Sequence, residues 1–231
     1  MNRYLIRFSR QGLLRYTSHL DLMRLFQRAL KRSGIRVSYS TGFNPHPKMS
    51  FAQPLSLGYT SRGEYLEIQC DTTYDTAFIL SAISPALPEG ILATACRELP
   101  AAGRSMASLV RWAAYTIRIP GSTDMERNAA LRFMEQPEIR SKKRKKSTGA
   151  LIEIDIKPMV RSLDAACEPE EEDGTLLVLH TVVRAGSEAN LNPDLLVRSF
   201  LAYCGSDPAM RPYRIERTEL YGEEMVPLAD L

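Results

Sequence analysis

The segment RYLIRFSRQGLLRYTSHLDLMRLFQRALKRSG, residues 3–34, contains two different hydrophobic periods in succession. In residues 3–9 apolar side chains recur at every second position, which is the period of a half-buried strand. From Ser18 onward they recur at every third or fourth position, which predicts an amphipathic helix that stops before Gly34. Ser18 is followed three residues later by Asp21, a pattern typical of a capping-box-like helix start.

The rest of the chain continues this alternation and then repeats it. In the first half the patterns predict strands near Val37 and over residues 49–53, 64–70 and 91–99, with a helix over 75–83. In the second half they predict strands over 112–119, 151–157, 176–183 and 213–221, with helices over 123–134 and 193–203. The order β-α-β-β-α-β is that of the split β-α-β unit of ferredoxin-like folds. The sequence therefore predicts an α+β protein of two tandem ferredoxin-like units, a basic domain of residues 1–104 and a second domain of residues 105–231.

Two charge runs fall in the second domain, where the pattern predicts loops. They read SKKRKK over residues 141–146 and EPEEED over residues 168–173. Blocks of like charge repel one another and usually stay solvated, and this is the expectation for the acidic run. For the basic run, three alternatives remain open: a solvated loop, a contact with phosphates and a contact with the acidic run.

The bulk composition is that of an ordinary globular protein, with 44% apolar and 25% charged residues in a chain of 231. No segment approaches the length of a membrane span, and the N-terminus lacks a secretory pattern, so we expect a cytoplasmic protein with no membrane partner. The four cysteines form no CxxC pair, which favours reduced thiols over a metal site. No phosphate-cradling glycine motif occurs, and nothing in the sequence indicates a cofactor.

The distribution of charge is the strongest indication of function. Residues 1–62 contain eleven Arg or Lys and a single acid, Asp21. Residues 1–110 hold 13 basic and 7 acidic side chains, whereas residues 111–231 hold 17 and 20. A one-sided positive field indicates a polyanion, most often nucleic acid, as the partner of the first domain. The alternative is a basic surface that docks on an acidic protein.

Two segments of the first domain supply the candidate binding residues. On the predicted helix at residues 18–33, four cations fall on one stripe opposite the apolar face, and phosphates would relieve their repulsion. In the loop TGFNPHPK, residues 41–48, the two prolines stiffen a display of aromatic, amide and cationic groups suited to unpaired bases. The alternatives are a solvated helix face and a rigid loop whose Phe43 and Phe51 fill the core. The predicted nucleic-acid-binding residues are Arg15, Arg24, Arg28, Lys31, Arg32, Phe43, Asn44, His46 and Lys48.

Histidines raise the question of catalysis. His19 or His46 could act as a general base in metal-independent RNA cleavage, with Lys48 or Arg15 stabilising the phosphate charge. The third histidine, His180, lies in an apolar strand and is expected to be an ordinary core or sheet residue. We expect a binding or accessory protein rather than an enzyme, with His19 and His46 as the weakly indicated catalytic candidates.

Several of these motifs together resemble a known family. The segments LRYTSHLD (residues 14–21), GFNPHPK (42–48) and PLSLG (54–58) are similar to the bacterial radical-SAM-linked protein family, whose uncharacterised members are encoded beside, or fused to, radical SAM proteins. The similarity continues through GEY at residues 63–65 and through residues 186–193. It implies a radical SAM protein as partner. Because the three-cysteine cluster of a radical SAM enzyme is missing, the resemblance implies an accessory protein.

Three functional hypotheses follow. The leading one is an RNA-binding accessory protein that works with a radical SAM enzyme in RNA modification or processing, its second domain contacting the protein partner. The second is a protein–protein docking module for a radical SAM enzyme that makes no RNA contact. The third is a metal-independent endoribonuclease.

Overall fold

A computed structural model of the protein describes residues 1–121, 124–144, 149–170 and 174–231, and it divides the chain into two compact units. The first unit comprises Met1–Val110 together with Glu219–Leu231, and the second comprises Arg111–Thr218. The predicted domain boundary after residue 104 lies six residues before the division between the units. The protein is an α+β protein whose strands pair antiparallel in every recorded register.

The first unit contains four strands and three helices. In chain order these are β1 (Asn2–Arg10), α1 (His19–Arg32), β2 (Met49–Phe51), β3 (Thr60–Cys70), α2 (Thr76–Ile83), β4 (Ile91–Leu99) and α3 (Met106–Leu109). Strand β1 pairs with both β3 and β4, and β2 pairs with the other edge of β3. The strand order is therefore β4-β1-β3-β2. The predicted strand near Val37 is only an isolated bridge to Cys70.

The core of the first unit lies between the sheet and α1. Phe8 of β1 packs against Phe26 of α1 with ring centroids 4.7 Å apart, and Phe51 of β2 lies within 6 Å of both rings. The predicted helix start is confirmed, since the Ser18 hydroxyl accepts a hydrogen bond from the Asp21 amide at 3.2 Å. The apolar stripe of α1 therefore faces the core, and its cations face outward.

In its described residues the second unit contains six strands and two helices. These are β5 (Trp112–Ile119), α4 (Asp124–Glu135), β6 (Arg140–Arg144), β7 (Leu151–Asp155), β8 (Val160–Glu170), β9 (Gly174–Arg184), α5 (Pro193–Tyr203) and the last strand, β10 (Arg214–Tyr221). Residues 214–218 of β10 belong to this unit. Its strand order is β10-β5-β9-β8, and β6 and β7 form a separate hairpin.

Three expectations for the second unit are corrected by the structure. Strand β8 was not predicted, because its small residues give a weak alternation of apolar and polar side chains and Pro169 indicates a loop. The strand tolerates Pro169 because β8 lies at the edge of the sheet, where a backbone donor is not needed. The acidic run begins within β8 rather than in a loop, and its residues 171–173 lie outside the described residues. The basic run also begins in a strand, with Lys142 opposite Glu153 in the β6–β7 pair, while residues 145–148 are likewise outside the described residues.

The helix predicted over residues 123–134 corresponds to α4. Its first predicted residue, Thr123, lies outside the described residues.

Candidate nucleic-acid interface

A buried arginine positions the segment that leads into α1. Arg10, at the end of β1, is only 1% exposed, and its guanidinium donates to the carbonyl oxygens of Leu14, Arg15 and Thr17 at 2.8, 2.9 and 2.7 Å. Gly58 also donates its amide to the Arg15 carbonyl, at 2.8 Å. These bonds fix the turn of residues 12–17 against the sheet and bring the LRYTSHLD segment (residues 14–21) next to the PLSLG segment (54–58).

The outward face of α1 carries the predicted cations, here called the basic stripe: Arg24, Arg28, Lys31 and Arg32. All four are exposed. Arg24 lies 3.4 Å from Asp21 in an exposed pair, and Arg32 donates to the carbonyl of Ala86 at 2.5 Å. Arg28 and Lys31 form no ion pair with any residue in the described part of the chain. Within the described part of the chain, the stripe therefore offers to solvent three charges without an acidic partner and one weakly compensated charge, that of Arg24.

The segment after α1 forms a closed loop, here called the aromatic loop, residues 39–47. Tyr39 and Pro47 form an isolated bridge at its base. Above that bridge, the Ser40 amide donates to the His46 carbonyl at 2.8 Å, and the His46 amide donates to the Ser40 hydroxyl at 2.9 Å. Gly42 adopts φ 125°, a conformation that a side chain would strain. The loop is thus tied at its base and turns sharply at its tip.

The tip of the aromatic loop displays its side chains to solvent. Phe43 is fully exposed, and Tyr39 is 58% exposed. Asn44 and His46 are exposed as well. The alternative that Phe43 and Phe51 both fill the core is therefore half right, because only Phe51 is buried. An exposed aromatic ring on a tied loop is unusual in a purely structural role and is suited to stacking against a flat ligand.

The predicted residues do not all lie at one end of the unit. The aromatic loop leaves the end of the sheet where Asn2 pairs with Cys70, whereas Arg15 lies at the opposite end, where Arg10 pairs with Ser61. Strand β1 spans about 27 Å between these ends. The basic stripe runs along α1 between them, so the stripe and the aromatic loop adjoin in sequence while Arg15 stands apart.

The surroundings of Arg15 and Lys48 differ from those expected. The Arg15 guanidinium lies over the Tyr16 ring, 4.8 Å from its centroid, and is half-buried. The ammonium nitrogen of Lys48 lies 3.3 Å from the Met1 sulfur, and Lys48 is half-buried too. Both remain candidates, although neither is as accessible as Arg28 or Lys31.

The three histidines lie in separate surroundings. The His19 ring packs edge-on against Phe51, with centroids 5.5 Å apart, at the end of β2, whereas His46 precedes the start of that strand. His180 was expected to be a core or sheet residue; it is an exposed residue of β9 whose Nδ1 lies 3.2 Å from the Thr116 hydroxyl oxygen. The arrangement keeps the three histidines apart, so His19 and His46 would each have to act as a separate general base.

Sequence reasoning missed two residues, one just before the aromatic loop and one at its base. Arg36 is exposed and forms no ion pair with a described residue, and its backbone amide donates to the Tyr74 hydroxyl. Tyr39 lies just before the predicted segment of residues 41–48 and is 58% exposed. Their position in the sequence could have identified them, since Arg36 and Tyr39 lie between the basic stripe and the loop tip, in a segment that contains no acidic residue.

The cysteines are not arranged as ligands. All four are free, and burial raises the pKa of the Cys70 thiol to about 11, that of Cys96 to about 12 and that of Cys204 to about 11. Within the described residues no three His, Cys, Asp or Glu side chains come close enough to hold a metal ion. Nor does the described part of the chain contain a helix long and apolar enough to cross a membrane.

Comparisons with known proteins find similar solved structures and one matching family. One of these structures is the crystal structure of a Cbf5-Nop10-Gar1 complex, with 10% identity and a TM-score of 0.47 over 96% of this chain and 50% of the matched chain. The chain thus spans about half the length of the protein that it matches, and at this similarity the match carries no functional inference. No curated protein matches. Residues 3–193 match the family DUF2344, described as uncharacterized proteins conserved in bacteria, a description that mentions no radical SAM protein. Because this match covers most of the sequence, the chain belongs to the DUF2344 family.

Proposed function

We propose that the protein is a cytoplasmic RNA-binding accessory protein whose first unit binds single-stranded RNA. The observation that carries the proposal is the fully exposed Phe43 on a tied loop that directly follows a helix with uncompensated cations. Single-stranded nucleic acids are bound by this combination, in which aromatic rings stack on bases and Lys or Arg contacts phosphates.

Each exposed group has a role in this proposal. Phe43 and Tyr39 stack on unpaired bases, and Asn44 and His46 reach base edges or the sugar. Arg28 and Lys31 contact phosphates along α1, together with Arg24 and Arg32. The helix axis along which these contacts are spaced rises by about 1.5 Å per residue. Lys48 and Arg15 contribute at the margins, because both are half-buried.

The wider assignment rests on the family resemblance. We propose a radical SAM protein as the partner and RNA modification or processing as the context. The docking-module alternative predicts a protein pull-down that survives nuclease treatment. The endoribonuclease alternative predicts discrete RNA fragments in the presence of a chelator that vanish in His46→Ala.

We also propose that the chain is built from two tandem ferredoxin-like units. The strand orders β4-β1-β3-β2 and β10-β5-β9-β8 support this, since each places the first strand of its unit between the third and the fourth. In the second unit the unpredicted β8 would then be the second strand, and the β6–β7 hairpin would be an insertion.

The decisive experiment measures the affinity for a labelled dodecauridylate by fluorescence anisotropy as a function of salt. If three or four phosphates are contacted, log K should fall with log salt at a slope of about −2 to −3. Arg28→Glu with Lys31→Glu should weaken binding at least tenfold, and Phe43→Ala should weaken it about 5- to 100-fold, as expected for the loss of one stacked base.

Matched controls separate these effects from changes in net charge or folding. Arg127→Glu with Arg132→Glu makes the same charge change on exposed positions of α4, and Leu131→Ala removes an exposed apolar side chain there. Both controls should bind like the unaltered protein. An unaltered protein that fails to bind at low salt, or a stripe variant that binds like its control, contradicts the proposal.

A further inference from the structure

The second unit contains a cluster that the proposed function leaves unused. Trp112, the single tryptophan of the chain, begins β5 opposite Arg184 of β9. The guanidinium carbon of Arg184 lies 4.2 Å from the centroid of the indole, and that of Arg161 lies 5.5 Å from it. We call these three residues the arginine–tryptophan cluster.

The cluster lies on the less buried face of the sheet. Along β5, Ala113, Ile117 and Ile119 are completely buried on one face, whereas Trp112 and Arg118 point to the other face and are half-buried. The register pairs Trp112 with Arg184, and Arg161 lies at a shift of register between Val160 and Ser162 of β8. Arg161 is exposed and Arg184 is half-buried.

The two cations are not neutralised within the described chain. Neither Arg161 nor Arg184 forms an ion pair with a described residue. The nearby Glu188 carboxylate is bound by Arg111 at 2.9 Å, and Asp164 of β8 lies opposite His180 rather than opposite either arginine. Two guanidinium groups on one ring repel each other unless an anion lies between them.

An arginine that stacks on an aromatic ring keeps its donors available. The stacked guanidinium uses its flat face against the indole, and its N–H groups stay in the plane, where they match the oxygens of a phosphate. The outer face of such a stack can also carry a base, since unpaired bases stack on arginine planes as they do on aromatic rings.

We propose that the arginine–tryptophan cluster binds one unpaired nucleotide of an RNA strand, with its phosphate between Arg161 and Arg184. The inference rests on the proposed function for the class of ligand. It gives the second unit an RNA contact of its own, at a place distinct from the basic run of residues 141–146.

The single tryptophan makes the test direct. Indole fluorescence of the full chain is followed during titration with hexauridylate and, separately, with inorganic phosphate, while anisotropy of the labelled RNA reports total binding. The unaltered protein should show a saturable change in fluorescence with RNA. Arg161→Met with Arg184→Met should lose that change and bind RNA at least fivefold more weakly, whereas Arg127→Met should retain both. Thermal unfolding confirms that each variant is folded.

The outcomes distinguish this inference from the proposed function. If Arg28→Glu with Lys31→Glu weakens total binding but preserves the tryptophan response, the two sites are separate and the inference is supported. If RNA binds without a tryptophan response and the double methionine variant binds normally, the inference fails and the proposed function stands. A response to phosphate equal to that with RNA overturns the assignment of a nucleotide. Absence of any RNA binding overturns both proposals.

Discussion

Strand β1 carries three cations in nine residues and helix α1 carries four in fourteen, yet the two elements use them in opposite ways. Arg3 and Arg10 of β1 are 6% and 1% exposed, whereas Arg28 and Lys31 of α1 are open to solvent. The strand cations bind buried groups of the protein itself. On the helix, Arg24 has only an exposed pair and Arg32 only a backbone carbonyl, and the other two cations form no ion pair in the described part of the chain. A basic segment can therefore be structural or available for binding, and a count of charges does not distinguish the two.

The partners of the β1 arginines explain the difference. Arg3 donates to the Glu67 carboxylate at 2.8 and 2.9 Å and to two backbone carbonyls. Arg7 pairs at 2.8 Å with Glu219, which also accepts the hydroxyl of Tyr65. Burial, followed by that hydrogen bond, raises the pKa of Tyr65. The positive field of the first unit is consequently weaker than its sequence suggests, and it is concentrated on α1 and the segment that follows.

The largest expected effect is on the buried ion pair. Glu67→Gln leaves the Arg3 guanidinium buried without its counter-charge, and it also removes an acceptor for the Met106 amide, which donates to Glu67 at 3.0 Å. We expect the free energy of unfolding to fall by about 3 to 5 kcal/mol, the usual cost of breaking a buried pair on one side. Urea denaturation measures it.

A double variant tests whether charge is the cause. Arg3→Met with Glu67→Leu removes both charges and keeps apolar volume, so it should cost less than Glu67→Gln alone. A double variant that is the less stable of the two would show that the hydrogen bonds to backbone carbonyls, rather than the ion pair, hold this region.

Arg10 should show the next largest effect. Arg10→Met removes three hydrogen bonds that a charged donor makes to the turn before α1, and we expect a loss of about 2 to 3 kcal/mol. Hydrogen exchange should show faster opening of residues 12–20. Arg28→Met, a matched change on α1, should stay within about 0.5 kcal/mol of the unaltered protein. Equal losses in the two variants would contradict the contrast between strand and helix.

Much of the first unit follows from sequence because local and tertiary preferences agree there. The strand alternation, the Ser18 cap and the helical apolar stripe each predict what the core requires. In the second unit β8 was missed, since alanines and a cysteine bury little area and leave a faint pattern, and its pairing with β9 comes from sequence-distant contacts.

The candidate site was only partly predictable for a related reason. Helical spacing identifies which cations of α1 face outward, because the core fixes the opposite face. It cannot identify that Arg15 lies at the far end of the sheet from the aromatic loop, since this depends on strand register. The same limit applies to the arginine–tryptophan cluster, whose members come from three strands.

The smallest effect is expected at the exposed pair of Arg24 and Asp21. Their side chains are both 59% exposed and 3.4 Å apart, so solvent screens the attraction and Arg24→Ala should change stability by less than about 0.5 kcal/mol. The same variant should weaken binding of dodecauridylate and make its salt dependence shallower by about 0.7 if Arg24 contacts one phosphate. A large loss of stability with unchanged RNA affinity would reverse the contrast and assign Arg24 to the structural class of Arg3.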